Sequence, residues 1–108
     1  MEEKLQKYID DISKFVSRVD KKLVEALYRR YASVLARADA RLIAAKDPEE
    51  VKRVKRNFIK AKLGVSGEKA DKTFDAVMKT MSKAKQKNRL TVYYLLTIEL
   101  KGKKKIIG

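Results

Sequence analysis

Apolar residues recur at spacings of three and four along almost the whole chain, and few residues interrupt them. Only one Pro and four Gly occur among its 108 residues. Because Ala, Leu, Lys and Glu favour helices and breakers are rare, the pattern predicts an all-α fold. We expect a single compact bundle over residues 1–100, followed by a basic tail over 101–108. Five helices are predicted, over residues 2–16, 21–38, 48–63, 67–83 and 88–101, with a connector over 38–45.

The clearest helix boundary in the sequence is the segment KDPEE at residues 46–50. Asp47 is a good N-cap residue, and Pro48 suits the first helical position, where no N–H is needed. Glu50 is placed to complete a pair of reciprocal capping hydrogen bonds. At the other end, Gly64 is expected to terminate the helix in a left-handed conformation.

The segment 88–101 fits two kinds of secondary structure. Its apolar residues alternate with polar ones for most of its length, which is the period of a strand. No second strand is evident, however, and a lone strand leaves its backbone hydrogen-bonding groups without partners. We therefore favour a helix capped by Asn88, with a strand as the alternative.

The residue types that most often carry out chemistry are missing from the chain. It contains no Cys and no His, which excludes disulfides, thiol catalysis, imidazole acid–base chemistry and most zinc sites. No nucleophile has a base near it in the pattern, so we predict no enzyme, no catalytic residue, no metal and no cofactor. No apolar run approaches the roughly 20 residues that span a bilayer, and the N-terminus lacks a secretory pattern. We expect a cytoplasmic protein that does not bind membranes.

The chain is strongly basic, and the charge is concentrated in its second half. The net charge is +14. Residues 1–54 carry 13 basic and 10 acidic residues, whereas residues 55–108 carry 15 basic and 4 acidic residues. A field of this size attracts polyanions and repels other basic chains.

The cations of the second half fall into three groups. At 100° per residue, the first group shares one face of the helix after Pro48, opposite an apolar face. Like charges four residues apart destabilise a helix, and bound phosphate would relieve them. The alternatives are a solvated helix face, favourable interaction with a helix dipole, and a solubilising end. The candidate nucleic-acid-binding residues are Lys52, Arg53, Arg56 and Lys60; Lys79, Lys83, Lys85, Lys87 and Arg89; and Lys101, Lys103, Lys104 and Lys105.

Two adjacent aromatic residues, Tyr93 and Tyr94, have two possible roles. Tyrosines stack on nucleic-acid bases where their rings are exposed. More often such residues lie in the core with the hydroxyl at its edge. The core role is the favoured one here.

Two segments of the chain resemble a small bacterial family catalogued as a domain of unknown function, number 2853 in that series. These segments are DPEEVKRVKRNFIKAKLG and KNRLTVYYLL. The resemblance implies a compact all-α domain and supports a helix over 88–101, but it implies no activity. The basic excess and the KGKKK ending go beyond the family pattern. The residues that carry the resemblance are Asp47, Phe58, Lys62, Leu63 and Gly64, then Arg89, Thr91, Tyr93, Tyr94, Leu95 and Leu96.

The charge pattern favours a structural RNA-binding protein, for example a small ribosomal or ribosome-associated one. Its cations would contact phosphates and position the domain by shape, without reading base edges. Two alternatives are a DNA-binding nucleoid or regulatory protein and a helical interaction module with an acidic protein partner. With about 6–10 phosphate contacts, affinity should fall on the order of 10³–10⁵-fold between about 50 and 200 mM salt.

Overall fold

Helices make up most of residues 2–108, the part of the chain that the computed structural model describes, and no β-strand occurs in this range. The all-α prediction is confirmed, and five of these helices are seven residues or longer. The radius of gyration is 12.7 Å, close to the value of about 13 Å for a compact domain of 100 residues. The elements are α1 (Glu2–Ile12), α2 (Lys21–Arg30), α3 (Ala32–Leu35), α4 (Ala38–Arg41), α5 (Pro48–Val54), a π-helix (Lys55–Lys60), α6 (Gly67–Thr80), α7 (Arg89–Glu99) and α8 (Lys103–Ile107).

Helix α7 lies at the centre of the fold and contacts α1, α2, α4 and α6. Every residue from 90 to 97 is buried. A helix that is buried on all sides is apolar on all sides, which explains why this segment lacks the usual helical period. The helix satisfies its backbone internally, as a lone strand cannot.

The second predicted helix is broken where the sequence pattern is continuous. Tyr31 has φ −111° and ψ 18° and caps the end of α2. The chain then continues as two short helices, α3 and α4. At the start of α2, the Asp20 side chain accepts a hydrogen bond from the N–H of Leu23, and the N–H of Asp20 donates to the Tyr94 hydroxyl. The direction of α2 is thereby tied to the central helix.

A π-helix follows α5 without interruption. The N–H of Leu63 donates to the carbonyl of Phe58 at 3.1 Å, five residues back. This wider turn buries two consecutive residues, Phe58 and Ile59. Gly64 then ends the segment with φ +72°, as predicted.

The segment predicted as a basic tail forms helix α8 and packs onto α2. Ile106 is buried in the core, and its carbonyl accepts a hydrogen bond from Arg30 at 3.1 Å. Lys103 forms an ion pair with Asp20 at 2.6 Å, and this contact holds the pKa of Asp20 below its usual value. The burial of Ile106 and these two polar contacts together anchor the C-terminal residues on the bundle.

Three aromatic rings pack together beside α7. Phe58 stacks on Tyr93 with 3.9 Å between ring centroids, and Tyr31 meets Tyr93 edge-on at 5.0 Å. The Tyr31 hydroxyl is buried and has no hydrogen-bond partner among the residues that the structure describes. Burial raises the pKa of Tyr31 to about 12, with Tyr93 adding to the effect and Arg30 opposing it.

We expect Tyr31→Phe to stabilise the protein by about 1 kcal/mol at neutral pH, because it removes a buried hydroxyl without a partner. The folded pKa lies above the ordinary value of about 10. The folded state therefore holds the Tyr31 proton more tightly than the unfolded state does. As the pH rises from about 10 towards 12, the unfolded state loses this proton first, and the free energy of unfolding falls. Urea unfolding measures this at pH 7 and across the alkaline range. The variant should have a higher free energy of unfolding than the unmodified protein at pH 7, and that free energy should fall less as the pH rises. A less stable variant at pH 7 would mean that the hydroxyl has a partner.

Candidate nucleic-acid interface

An open groove of about 940 Å³ lies between α1 and the loop that joins α6 to α7. We call it the basic groove. Four lysines line it, one just after α1 and three from the region 79–85. The one carboxylate that lines it among the described residues is that of Asp11. The lining residues are Asp11, Lys14, Phe15, Lys79, Thr80, Ser82, Lys83, Ala84, Lys85, Gln86 and Asn88.

The loop between α6 and α7, which carries Lys83 and Lys85, is held at both ends. Met81 is buried at the C-terminus of α6. At the far end, the N–H of Ile43 donates to the carbonyl of Lys87 at 2.8 Å, and Leu42 forms a bridge with Asn88. The Lys87 ammonium donates to the carbonyl of Ala84 and closes the loop. The groove is therefore formed by an anchored segment.

The groove retains most of its positive charge. Asp11 forms an ion pair with Lys14 at 3.6 Å and accepts a hydrogen bond from the Thr91 hydroxyl. Lys79, Lys83 and Lys85 form no ion pair with any of the side chains described, those of residues 3–108. Three exposed cations thus point towards solvent around one shared concavity.

A second, smaller cavity of about 280 Å³ adjoins the groove, and Asn88 lines both. We call it the tyrosine pocket. Tyr8 of α1 and Tyr28 of α2 lie 5.9 Å apart in it, with their rings tilted by 49°. Lys4, Lys7 and Arg41 also line it, and none of the carboxylates of residues 3–108 does.

The sequence pattern did not single out the residues of α1 and α4 that contribute to this surface. They belong to the half of the chain with little net charge. The sequence does contain a pattern that could have indicated them. At 100° per residue, Lys4, Lys7 and Asp11 fall within an arc of about 60° on one face of α1. That face lies beside the 79–88 region only in the folded protein.

The predicted cations of α5 and the π-helix do not form a regular row. The π-helix breaks the 100° spacing from which the sequence places Lys52, Arg53, Arg56 and Lys60 on one face. Lys52 pairs with Glu49 at 3.8 Å, and Arg53 pairs with Glu50 at 3.2 Å. Arg56 donates to Asn57, and Lys60 is exposed. Half of this group already has an acidic partner in the fold.

Arg89 has a structural role and is not part of an exposed surface. Its side chain is 11% exposed and forms an ion pair with Glu50, which is 9% exposed. It also donates to the carbonyl of Ala40 at 2.6 Å and to the Tyr93 hydroxyl at 3.0 Å. Burial opposes its charge, but the contacts with Tyr93 and Glu50 outweigh burial and raise the pKa of Arg89. Glu50 therefore binds arginines and does not form the predicted capping pair.

Two of the four lysines near the C-terminus also have partners within the fold. Lys103 binds Asp20, and Lys105 donates to the carbonyl of Leu63 at 2.8 Å. Lys101 and Lys104 are exposed. These cations lie on an ordered helix and a turn, so they are not the flexible extension that the sequence suggests.

Tyr93 and Tyr94, considered above for base stacking, are 6% and 1% exposed. Both belong to the core, and the aromatic residues that line the two cavities are Tyr8 and Tyr28 in the tyrosine pocket and Phe15 in the basic groove. Among the described residues, no three Asp or Glu side chains come together in a way that would hold a metal ion. Within 2–108, none of the helices has both the length and the apolar character needed to cross a membrane.

Comparison with known proteins identifies one family. A family described as "Protein of unknown function (DUF2853)" matches residues 7–104. The match covers both segments on which the resemblance rests and all of the basic groove and tyrosine pocket except Lys4. No curated protein matches the chain.

Proposed function

The chain belongs to the DUF2853 family, whose description assigns no function, and we propose from its surface that it binds RNA as a structural protein. The lysines of the basic groove contact phosphates and hold the domain on folded RNA. A cytoplasmic location and association with ribosomal particles are part of this proposal.

The observation that carries the proposal is the basic groove. Lys14, Lys79, Lys83 and Lys85 surround a concavity in which Asp11 is the only carboxylate from the described part of the chain. Like charges that share a groove repel one another, and a polyanion with regularly spaced phosphates relieves that repulsion while releasing its own counterions. An anchored loop presents these cations with little further ordering cost on binding.

The neighbouring tyrosine pocket favours RNA over duplex DNA. Folded RNA offers loops and bulges whose unpaired bases stack on aromatic side chains, whereas the bases of a DNA duplex are stacked on one another. Tyr8 and Tyr28 lie next to the cations of the groove. The tertiary structure also weakens the case for a DNA-reading helix at α5, because Lys52 and Arg53 are paired with acids.

The proposed interface differs in part from the residues predicted from the sequence. Lys79, Lys83 and Lys85 stay in it, joined by Lys14 and by the cations of the tyrosine pocket, Lys4, Lys7 and Arg41. Arg89 is not part of the proposed interface, because its guanidinium packs against Glu50 and its side chain is 11% exposed. Lys87, Lys103 and Lys105 have partners within the fold and line neither cavity, so they are not included. Lys52 and Arg53 pair with Glu49 and Glu50 and are not included either. The other predicted contacts, Arg56, Lys60, Lys101 and Lys104, stay predictions for the edges of a larger RNA.

We expect binding to a structured RNA with unpaired loops to weaken steeply with salt. If the seven cations of the groove and pocket each contact a phosphate, the slope of log K against log salt is about −5, which is about a thousandfold between 50 and 200 mM. The triple variant Lys79→Gln/Lys83→Gln/Lys85→Gln should reduce the slope by about 2, because each phosphate contact contributes about 0.7. Fluorescence anisotropy at several salt concentrations measures both quantities.

The matched control is Lys22→Gln/Lys46→Gln/Lys69→Gln, which removes the same charge at exposed positions outside both cavities. Equal losses in the two triple variants would mean that net charge, and not the groove, attracts RNA. A flat salt response of the unmodified protein would remove the proposal.

Two competitors separate the other partner classes. Duplex DNA that displaces the labelled RNA at equal salt, better than unlabelled RNA does, would replace RNA by DNA as the partner. Poly-glutamate of equal charge that competes as well as RNA would favour an acidic protein partner.

For the ribosomal part of the proposal, the protein should co-sediment with ribosomal particles from cells, and nuclease treatment should release it. Sedimentation of the protein as a free species in both samples would contradict that part.

A further inference from the structure

The tyrosine pocket has a size and a composition that the phosphate contacts of the groove do not require. Its volume of about 280 Å³ is near the lower end of the range of about 300–1,000 Å³ found for ligand pockets. A groove that binds only a phosphate backbone needs cations and no cavity. The pocket instead combines two aromatic rings with an apolar floor from Leu35 and the neighbouring alanines of α3 and its C-cap.

The two rings are open to a third aromatic group. Tyr8 and Tyr28 are tilted by 49° with 5.9 Å between centroids, so neither ring face is covered by parallel stacking on the other. Both residues are partly exposed and both line the cavity. A planar ligand can therefore lie against a ring while its edges meet polar groups.

The polar groups at the pocket are cations held in place. Arg41 donates through Nε to the carbonyl of Leu35 at 2.9 Å and through Nη2 to the carbonyl of Ala36 at 3.4 Å. Its remaining N–H groups have no hydrogen-bond partner among the side chains of residues 3–108 and can meet a ligand. A guanidinium held in this way binds phosphate in a defined geometry. Lys4 and Lys7 add two further positive charges, and no Asp or Glu whose side chain is described lines the cavity.

We infer that the tyrosine pocket binds one nucleotide, with its base against Tyr8 or Tyr28 and its phosphate on Arg41 and the two lysines. Asn88 lies at the junction with the basic groove, where its amide can donate to and accept from a base edge. This inference rests on the proposed function for the source of the nucleotide, which is an unpaired residue of the bound RNA. A free mononucleotide has the same chemistry, and the test below distinguishes the two sources.

The pocket and the groove contribute to binding in different ways. The salt dependence of the affinity distinguishes the two contributions. Stacking of one base on an aromatic side chain changes affinity by roughly 5- to 150-fold and releases no counterion. We therefore expect Tyr8→Leu/Tyr28→Leu to weaken binding of a short unstructured RNA by this factor at every salt concentration, without changing the slope of log K against log salt. Tyr8→Phe/Tyr28→Phe is the matched control. It keeps both rings and should bind as the unmodified protein does.

A second measurement uses the unmodified protein and does not depend on how the variants fold. On addition of the RNA, the ring signals of Tyr8 and Tyr28 should shift in NMR spectra, whereas those of the buried Tyr93 and Tyr94 should stay in place. AMP, GMP, CMP and UMP are titrated in parallel. Shifts of the same two rings at much lower concentrations of a free nucleotide than of RNA would assign the pocket to a free nucleotide.

The outcomes for the pocket and for the proposed function are distinct. If the leucine variant binds RNA as tightly as the unmodified protein, and Tyr8 and Tyr28 do not shift, the pocket inference is wrong while the groove proposal stands. If the unmodified protein binds no RNA at 50 mM salt, the proposed function is wrong. In that case, shifts of the Tyr8 and Tyr28 ring signals with mononucleotides would still support nucleotide binding in the tyrosine pocket. The absence of such shifts would reject the pocket inference as well.

Discussion

Glu50→Ala is expected to lower the free energy of unfolding by about 3–5 kcal/mol, the usual cost of removing one partner of a buried ion pair. The Glu50 carboxylate is 9% exposed and faces Arg89, which is 11% exposed. Without it, the Arg89 guanidinium keeps its hydrogen bonds to Ala40 and Tyr93 but loses the only carboxylate with which it forms an ion pair among the described residues. Urea unfolding monitored by circular dichroism at 222 nm measures the change.

The neighbouring residue provides a matched control. Glu49 lies in the same helical turn, but its side chain is 72% exposed and its ion pair with Lys52 is at 3.8 Å. Exposed pairs of this kind contribute little to stability, so Glu49→Ala should leave the unfolding midpoint almost unchanged. The double variant Glu50→Leu/Arg89→Met should recover much of the stability lost in Glu50→Ala, because apolar residues of similar volume can replace a buried pair. Equal effects of Glu49→Ala and Glu50→Ala would show that the Glu50–Arg89 pair is not buried in solution.

Ile106→Ala is the other substitution with a large expected effect, a loss of about 2–5 kcal/mol. Ile106 is 3% exposed and belongs to the core, although it is the third residue from the C-terminus. Its removal would leave a cavity between α8 and α2 and would weaken the contacts of Lys103 with Asp20 and of Lys105 with Leu63. Urea unfolding measures the loss, and amide hydrogen exchange in residues 103–107 should become faster.

The control for this substitution is the next residue along the chain. Ile107 has the same side chain but is 44% exposed, and Ile107→Ala should change stability far less. If both alanine variants are as stable as the unmodified protein, residues 101–108 are a free tail in solution, as the sequence pattern suggests. That result would also release Lys103 and Lys105 for binding to a polyanion.

Much of the architecture follows from interactions between residues close in the chain. The helix that starts after Asp47 and ends at Gly64 is predictable because capping, the fixed φ of Pro48 and the left-handed conformation of glycine act within a few residues. The all-α fold follows from the recurring apolar spacing. The segment 88–101 is ambiguous in sequence because residues 90–97 are all buried, which removes the difference between the faces of that part of α7.

The candidate site was predictable only in part. Lys79, Lys83 and Lys85 were recognised from their density in the sequence, and the structure places them around one groove. Lys4, Lys7, Tyr8 and Tyr28 were not, because their role depends on a neighbour far along the chain. Asn88, which joins the groove to the pocket, is 80 positions from Tyr8 in sequence and shares a cavity with it.

By itself, the sequence determined that this chain is helical, strongly basic and without the side chains of thiol or imidazole chemistry. Only the tertiary structure decided which cations remain available. Lys83 and Arg89 belong to the same basic run, yet Lys83 lines an open groove while Arg89 is buried against a carboxylate 39 residues earlier. The physical reason is how far apart in the chain the interacting residues lie. Helical period and capping act within a few residues, whereas the pairing of charges depends on which helix faces meet when the chain packs.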